Sequence, residues 1–196
     1  ILDTTHSDAV RFVNDQLNPR SLSENRIFSS LEDDAGNVWF GSGGGVNIWS
    51  ARANKFRVYR RSLTSPNSLS HNHIWDILED RMGYLWVGTN DGLNRFDRKT
   101  DIWKNWRYNS ANPSGLSTER VWAIYETRDG AIWLGMAGGG LSRYDAASDR
   151  FTHFRHDPKN PTTINNNRVR NIVEDHEGIL WIATRGGGLN RFDRQK

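Results

Sequence analysis

The chain has 196 residues, of which 36% are hydrophobic, with nine tryptophans and no cysteine. That is enough for one sizeable domain, but no apolar run approaches the roughly 18 residues of a membrane helix, and without cysteine there is no disulfide, thiolate chemistry or cysteine-ligated metal. A formal charge of +3 from 26 basic and 23 acidic residues, spread along the chain, fits a mixed solvated surface and argues against a nucleic-acid track.

In chain order, residues 1–8 are polar and read as a lead-in. Ile1-Leu2-Asp3-Thr4-Thr5-His6 lacks the charged-then-apolar pattern of a signal segment, as expected of a mature chain or one without its targeting segment. From Ala9 onward the sequence repeats. Tryptophan recurs at Trp39, Trp86, Trp133 and Trp181, in steps of 47, 47 and 48, and such a period points to stacked or radial repeats. The units run about 9–49, 56–97, 103–145 and 151–193.

Each unit predicts four short strands. Ala9 and Phe12 align with Phe56/Tyr59, Trp103/Trp106 and Phe151/Phe154, aromatic pairs assigned to a fourth strand. A polar connector with a proline follows, at Pro19, Pro66, Pro113 and Pro161, and needs no helix. The first strand, as in Ile74-Trp75-Asp76-Ile77-Leu78-Glu79, is apolar on both parities and so packs on two faces. A glycine turn (Gly36, Gly83, Gly130, Gly178) leads to the tryptophan strand, and a glycine loop to the third strand, ending at Asp97 in the second unit. The extra residue in the 48 step falls in that loop, where Gly138-Gly139-Gly140 and Gly186-Gly187-Gly188 replace Asn90-Asp91-Gly92.

Three tight turns and one connector of about fifteen residues choose the architecture, because adjacent strands are only about 4.8 Å apart. The long connector carries the chain from the outer edge of one four-stranded sheet to the inner edge of the next. The expected fold is all-β, a β-propeller of four-stranded antiparallel blades with tryptophans between them; a parallel β-solenoid has shorter coils.

The pattern Ile-x-x-Ile-x-Glu-Asp-x-x-Gly-x-Leu-Trp-x-Gly-Thr-x-x-Gly-Leu-x-Arg-Phe-Asp, nearly intact at 74–97 and 169–193, resembles the two-component regulator propeller repeat. Ala183 departs from the glycine of the other copies, and Val46-Asn47-Ile48-Trp49 lacks the Arg-Phe-Asp ending. The resemblance implies the extracytoplasmic sensor region of a hybrid histidine kinase or diguanylate cyclase, hence a periplasmic location and a downstream kinase or cyclase module. Because the chain starts on a fourth strand and finishes after a third, the N-terminal strand is expected to complete the last blade and close a ring. Two chains forming an eight-bladed homodimer is the alternative.

The connector and the glycine loop fall at one end of each blade. There Arg26, His73, Arg120 and Arg168 precede the inner strands, as a collar around a central channel, with Asn25, Asn72, Asn167 and Arg185 beside them and Trp75 and Trp122 as stacking surfaces. Arginine suits planar recognition of carboxylate or phosphate, so the collar is expected to receive a small polar ligand or glycan, anionic or hydroxyl-rich. The plainer reading pairs those arginines with Glu32, Glu79, Glu126 and Glu174 or with nearby carbonyls. The Asp-x-x-Gly turns (Asp33, Asp80, Asp175) resemble sialidase Asp boxes but lack the preceding Ser/Thr, and read as structural. The glycine loops open no helix and so make no phosphate cradle; the six histidines have no metal-ligand spacing, His153 and His156 flank a loop and read as solvated, and Arg57-Val58-Tyr59-Arg60-Arg61 is a weak basic run.

No cofactor or metal, no nucleic acid and no direct membrane insertion are expected. Three functions remain: a non-catalytic sensing module, a lyase of the streptogramin lyase type, or a protein-interaction scaffold. Streptogramin lyases have similar Gly-x-x-Trp repeats and use a His and a Glu near the axis. Here only His73 is suitably placed, with Glu79 at the far end of its strand.

Overall fold

The computed structural model describes residues 10–50 and 55–194. Four sheets follow one another along the chain, each a simple antiparallel meander. Blade one holds β1 (Ile27–Glu32), β2 (Val38–Ser42), β3 (Gly45–Ser50) and β4 (Lys55–Tyr59). Blade two holds β5 (Ile74–Glu79), β6 (Leu85–Thr89), β7 (Gly92–Asp97) and β8 (Ile102–Trp106). Blade three holds β9 (Val121–Glu126), β10 (Ile132–Met136), β11 (Gly140–Asp145) and β12 (Arg150–Phe154), and blade four the three strands β13 (Val169–Glu174), β14 (Leu180–Thr184) and β15 (Gly188–Phe192). No helix occurs among the described residues. The propeller-blade architecture expected from the period is the one observed.

The carboxylate that opens each Asp-x-x-Gly turn explains that motif. Asp80 Oδ1 accepts the Met82 and Tyr84 N–H groups, at 3.0 and 2.9 Å, while Gly83 takes φ +81°, where glycine alone is unstrained. Asp80 Oδ2 accepts the Trp86 indole N–H at 2.6 Å. Asp33 serves Trp39 at 2.8 Å and Asp175 serves Trp181 at 2.7 Å in the same way. In blade three Thr127 takes the aspartate's place, and the buried Trp133 Nε1 has no partner among the described residues.

The cores lie between blades. Trp39, Ile74, Ile77, Phe96 and Trp103 form one cluster across blades one and two; Trp86, Val121, Ile124 and Tyr144 another across two and three; Trp133, Val169, Ile172 and Leu180 a third. Leu69, Leu116 and Ile164, one from each connector, are buried too. Close approach of the blades depends on a glycine in the tryptophan strand. A methyl group at Gly41 would lie 2.7 Å from Ile74 Cγ2, at Gly88 2.8 Å from the Val121 carbonyl oxygen, and at Gly135 2.9 Å from Val169 Cγ1.

The four blades form an open arc. β1 packs on β5, β5 on β9 and β9 on β13, but no comparable packing joins β13 to β1. Ile27 is 39% exposed where Ile74, Val121 and Val169 are fully buried, and Val173 and Leu189 on the far face are 51% and 59% exposed. The expectation that the N-terminal strand completes the last blade is corrected. Ala9 lies outside the described residues; Val10–Phe12 form no strand, and Phe12 packs on Phe56 and Trp49, at 5.4 and 6.2 Å between ring centroids. Tyr59 meets Trp103 and Phe96 in the same way one blade later, so Phe12 stands where the outer strand of a blade preceding blade one would stand. At the open face the position of Gly41, Gly88 and Gly135 is held by Ala183, whose methyl group would crowd an inner strand packed there as in the other seams.

Two outcomes follow. Gly88→Ala forces a Cβ against backbone, so it is expected to lower unfolding stability by about 1–3 kcal/mol in a denaturant titration, while Ala183→Gly, on the open face, is nearly neutral. Light scattering is expected to give the 22.5 kDa of one chain; twice that mass would mean that the open faces pair in a different geometry.

Candidate functional site

The chain's direction through each blade puts connectors and glycine loops at one end, and hydrogen bonds tie them together there. Ser70 Oγ and Thr89 Oγ1 lie 2.9 Å apart, the Asn90 N–H donates to the His73 carbonyl at 3.2 Å, and the Arg185 N–H donates to the Arg168 carbonyl at 2.8 Å. Arg26, His73, Arg120 and Arg168 each stand one residue before an inner strand at this end, and the three arginines are exposed. Among the described residues, the guanidinium groups of Arg26, Arg120 and Arg168 make no hydrogen bond or ion pair.

The glutamates proposed to pair with these arginines lie at the other end. There three of them join two blades, Glu32 at the open front being the exception: Glu126 accepts the Arg81 N–H at 3.0 Å and Glu174 accepts the Arg128 N–H at 2.7 Å. Glu79 similarly accepts the Asp34 N–H at 3.3 Å and also pairs with Arg98. His73 and Glu79 are thus at opposite ends of β5, with the carboxylate already engaged, and do not make an acid–base pair.

The asparagines of the collar have local duties. Asn25, Asn72 and Asn167 accept the N–H groups of Asn14, Arg61 and His156, at 2.6, 2.7 and 2.7 Å. They pin each connector where it leaves the preceding outer strand. Burial, and then the charge of Arg185, hold the Arg170 guanidinium below its usual pKa.

The inner wall below the collar carries residues that the sequence reading did not single out. Residue two of each inner strand is Phe28, Trp75, Trp122 and Arg170. Phe28 lies 5.3 Å from Trp75, Trp75 lies 6.1 Å from Trp122 in a T-shaped contact, and the Arg170 guanidinium sits 3.8 Å above the Trp122 ring. His73 closes the upper edge, 4.7 Å from Phe28 and 4.6 Å from Trp75. Burial, and then the charges of His71, Arg26 and Arg120, hold His73 below its usual pKa, so it is neutral at pH 7. A small cavity of about 190 Å³ opens between Trp75, Trp122 and Arg170. The register shared with Trp75 and Trp122 was the available signal for Phe28 and Arg170.

Asp76, next to Trp75, turns its carboxylate into the join between β5 and β9. It accepts the Ile77 N–H at 2.9 Å and the Ile124 N–H of the neighbouring blade at 2.8 Å. Burial pushes its pKa up to about 6 despite those two donors. No cluster of His, Asp or Glu among the described residues has the arrangement of a metal site.

The family model for the two component regulator propeller matches residues 21–44, 68–91, 115–138 and 163–186, once in every blade. The chain belongs to the two component regulator propeller family. Similar solved structures include the extracellular domain assigned to the hybrid two component system BT3049 of B. thetaiotaomicron, 26% identical with a TM-score of 0.77, over 92% of this chain and 24% of that one. The extracellular domain assigned to the one component system BT4673 of B. thetaiotaomicron is 21% identical with a TM-score of 0.72, over 87% of this chain and 22% of that one. Virginiamycin B lyase from Staphylococcus aureus is 17% identical with a TM-score of 0.59, over 85% of this chain and 55% of that one, and shares the fold alone. This propeller chain therefore spans about a quarter of the length of the two extracellular domains it resembles. Curated proteins yielded no match.

In this two component regulator propeller the Asp76 join gives a pH test. A carboxyl whose folded pKa lies above its unfolded value stabilises the fold fully at low pH and loses that contribution as pH rises through the folded value. Stability should fall between about pH 4 and pH 7, by up to about 3 kcal/mol from this group. Urea titrations across that range should show a shallower slope for Asp76→Asn; an unchanged slope would exonerate the carboxyl.

Proposed function

We propose that the chain is a non-catalytic, ligand-sensing propeller segment of a bacterial two-component signalling protein, held on the periplasmic side of the inner membrane. Family membership and the likeness to the BT3049 extracellular domain support the setting. The observation that carries binding is the coincidence of three arginines without ion partners, Arg26, Arg120 and Arg168, with the aromatic inner wall of Phe28, Trp75 and Trp122 just below them. A guanidinium offers paired N–H donors to a carboxylate or phosphate, and an indole offers a flat apolar face to a sugar ring. The ligand of this reading is a small anionic or hydroxyl-rich molecule, such as an acidic oligosaccharide, that touches several inner strands at once.

Bridging adjacent blades is also how occupancy would reach an output. A ligand shifts a conformational balance only by binding one arrangement better than the other. The inner wall meets that condition, because its residues belong to three or four different blades and any change in blade spacing changes their separation. A downstream kinase or cyclase module would read that change. The separation of His73 from Glu79 favours sensing over a lyase reaction.

The test is a titration of uronic-acid oligosaccharides, sugar phosphates and matched neutral oligosaccharides against the wild-type chain and against Arg120→Glu/Arg168→Glu. Saturable binding of the acidic ligands, weakened at least about tenfold by charge reversal, is the expected result. Binding indifferent to the reversal would remove the collar from the site, and turnover of a lactone substrate would replace sensing by catalysis.

A further inference from the structure

At the end opposite the collar, the three grooves between neighbouring blades differ at one position. Where blade two turns from β7 to β8, Arg98 reaches back into the first groove: its Nη1 meets Asp33 Oδ2 at 2.7 Å, its Nη2 donates to the Gly83 carbonyl at 3.3 Å, and it pairs with Glu79. In the third groove Arg194 makes a related set of contacts, with Asp129, two residues past the Thr127 that corresponds to Asp33, in the aspartate's role: it meets Asp129 Oδ2 at 3.1 Å and the Gly178 carbonyl at 3.1 Å and pairs with Glu174. Blade three has Ala146 at the corresponding place, directly after Asp145 as Arg98 follows Asp97 and Arg194 follows Asp193. The second groove is accordingly open. Its cavity measures about 710 Å³, against about 320 and 380 Å³ for the grooves that Arg98 and Arg194 occupy.

Part of the acceptor set for a guanidinium is still free there. Arg81 crosses from blade two and takes Glu126 Oε1 at 2.7 Å and the Thr127 and Arg128 carbonyls at 2.8 and 2.9 Å. Two acceptors used in the neighbouring grooves remain. Asp80 Oδ2 accepts only the Trp86 indole, whereas its counterpart Asp33 Oδ2 accepts both Trp39 and Arg98. The Gly130 carbonyl, counterpart of Gly83 and Gly178, receives no donor among the described residues. Tyr84, Tyr144 and Met82 line the path that a methylene stem would follow. Of the four carboxylates on the walls, Glu126 is paired with Arg81 and Asp129 with Arg194 from the third groove, so what the groove offers a guanidinium is the open side of Asp80 and the Gly130 carbonyl.

We propose that this groove is the seat for an arginine side chain supplied in trans by a partner protein, which completes at the second groove what Arg98 and Arg194 do from within the chain. It is separate from the collar and needs none of the collar residues. Ethylguanidinium at millimolar concentration is the simplest probe, with ethylammonium and sodium acetate as comparisons, followed by N-acetyl-arginine amide. The wild-type chain should show a saturable rise in melting temperature with ethylguanidinium, on the order of 2–4 °C at saturation, together with a shift of the Trp86 indole N–H resonance. Ethylammonium should do less, because it lacks the planar fork. Ala146→Arg should abolish the response by filling the groove from within, and Arg98→Ala should create a second responsive groove. The proposal fails if the wild type shows no saturable response, if ethylammonium acts equally well, if acetate is the species that binds, or if Ala146→Arg leaves the response intact; the Trp86 resonance decides the matter in the wild type should that variant fold poorly.

Discussion

The bond from a buried indole N–H to the aspartate that opens the preceding turn is the interaction on which the arc rests. One carboxylate does two things at once. Through one oxygen it closes the turn between the inner strand and the tryptophan strand; through the other it satisfies the polar atom of the largest side chain in the core. An indole can then be driven wholly between two sheets without the cost of a stranded donor, about 1–3 kcal/mol where that happens. Trp39 and Trp86 are nearly inaccessible on these terms. Blade three shows the price of losing the arrangement, since Thr127 satisfies its own turn by donating to the Ala131 carbonyl and Trp133 is left without an acceptor.

Because Trp39, Trp86 and Trp133 each pack against the next blade, a blade is half a folding unit. Its second half comes from the following inner strand, admitted by a glycine and fastened at the far end by a glutamate that accepts a turn N–H. This explains why the terminal faces are exposed. Glu32 at the front and the 175–178 turn at the back carry the two halves of such a fastening, and nothing among the described residues brings them together. Ala183 marks the back face as different, since its methyl group would crowd a strand packed there as in the three seams inside the arc.

The periodic part of this architecture was legible from residue spacing alone. The tryptophan step, the turn glycines and the alternation of short and long connections are enough to derive the blades, their order and the end at which the connectors gather. What escaped is what periodicity does not encode. Ala183 is visible as a departure, but its consequence for closure needs the distances at Gly41, Gly88 and Gly135. That each collar asparagine also holds a backbone N–H through its Oδ1 is a local duty that spacing does not reveal. The glutamates look like partners for the collar arginines until strand direction puts them a full strand length away. Phe28 and Arg170 share the register of Trp75 and Trp122, yet the first is a phenyl and the second a cation, so no residue type unites them.

Departures from the repeat are where this chain acquires individuality. A position that must keep the blades together tolerates little change, so every copy of the interior glycine and nearly every copy of the indole-binding aspartate is alike within the arc. The second position of the inner strands runs phenylalanine, tryptophan, tryptophan, arginine, and the position after the third strand's aspartate runs arginine, alanine, arginine in blades two to four. Neither variation alters the strand registers around it, which are the same from blade to blade. Each instead changes what the molecule presents, at the inner wall in one case and at an open groove in the other. The two lie at opposite ends of the same strands, linked by β5 and β9 and by the Asp76 carboxylate that joins them, so a displacement of blade two against blade three is felt at both.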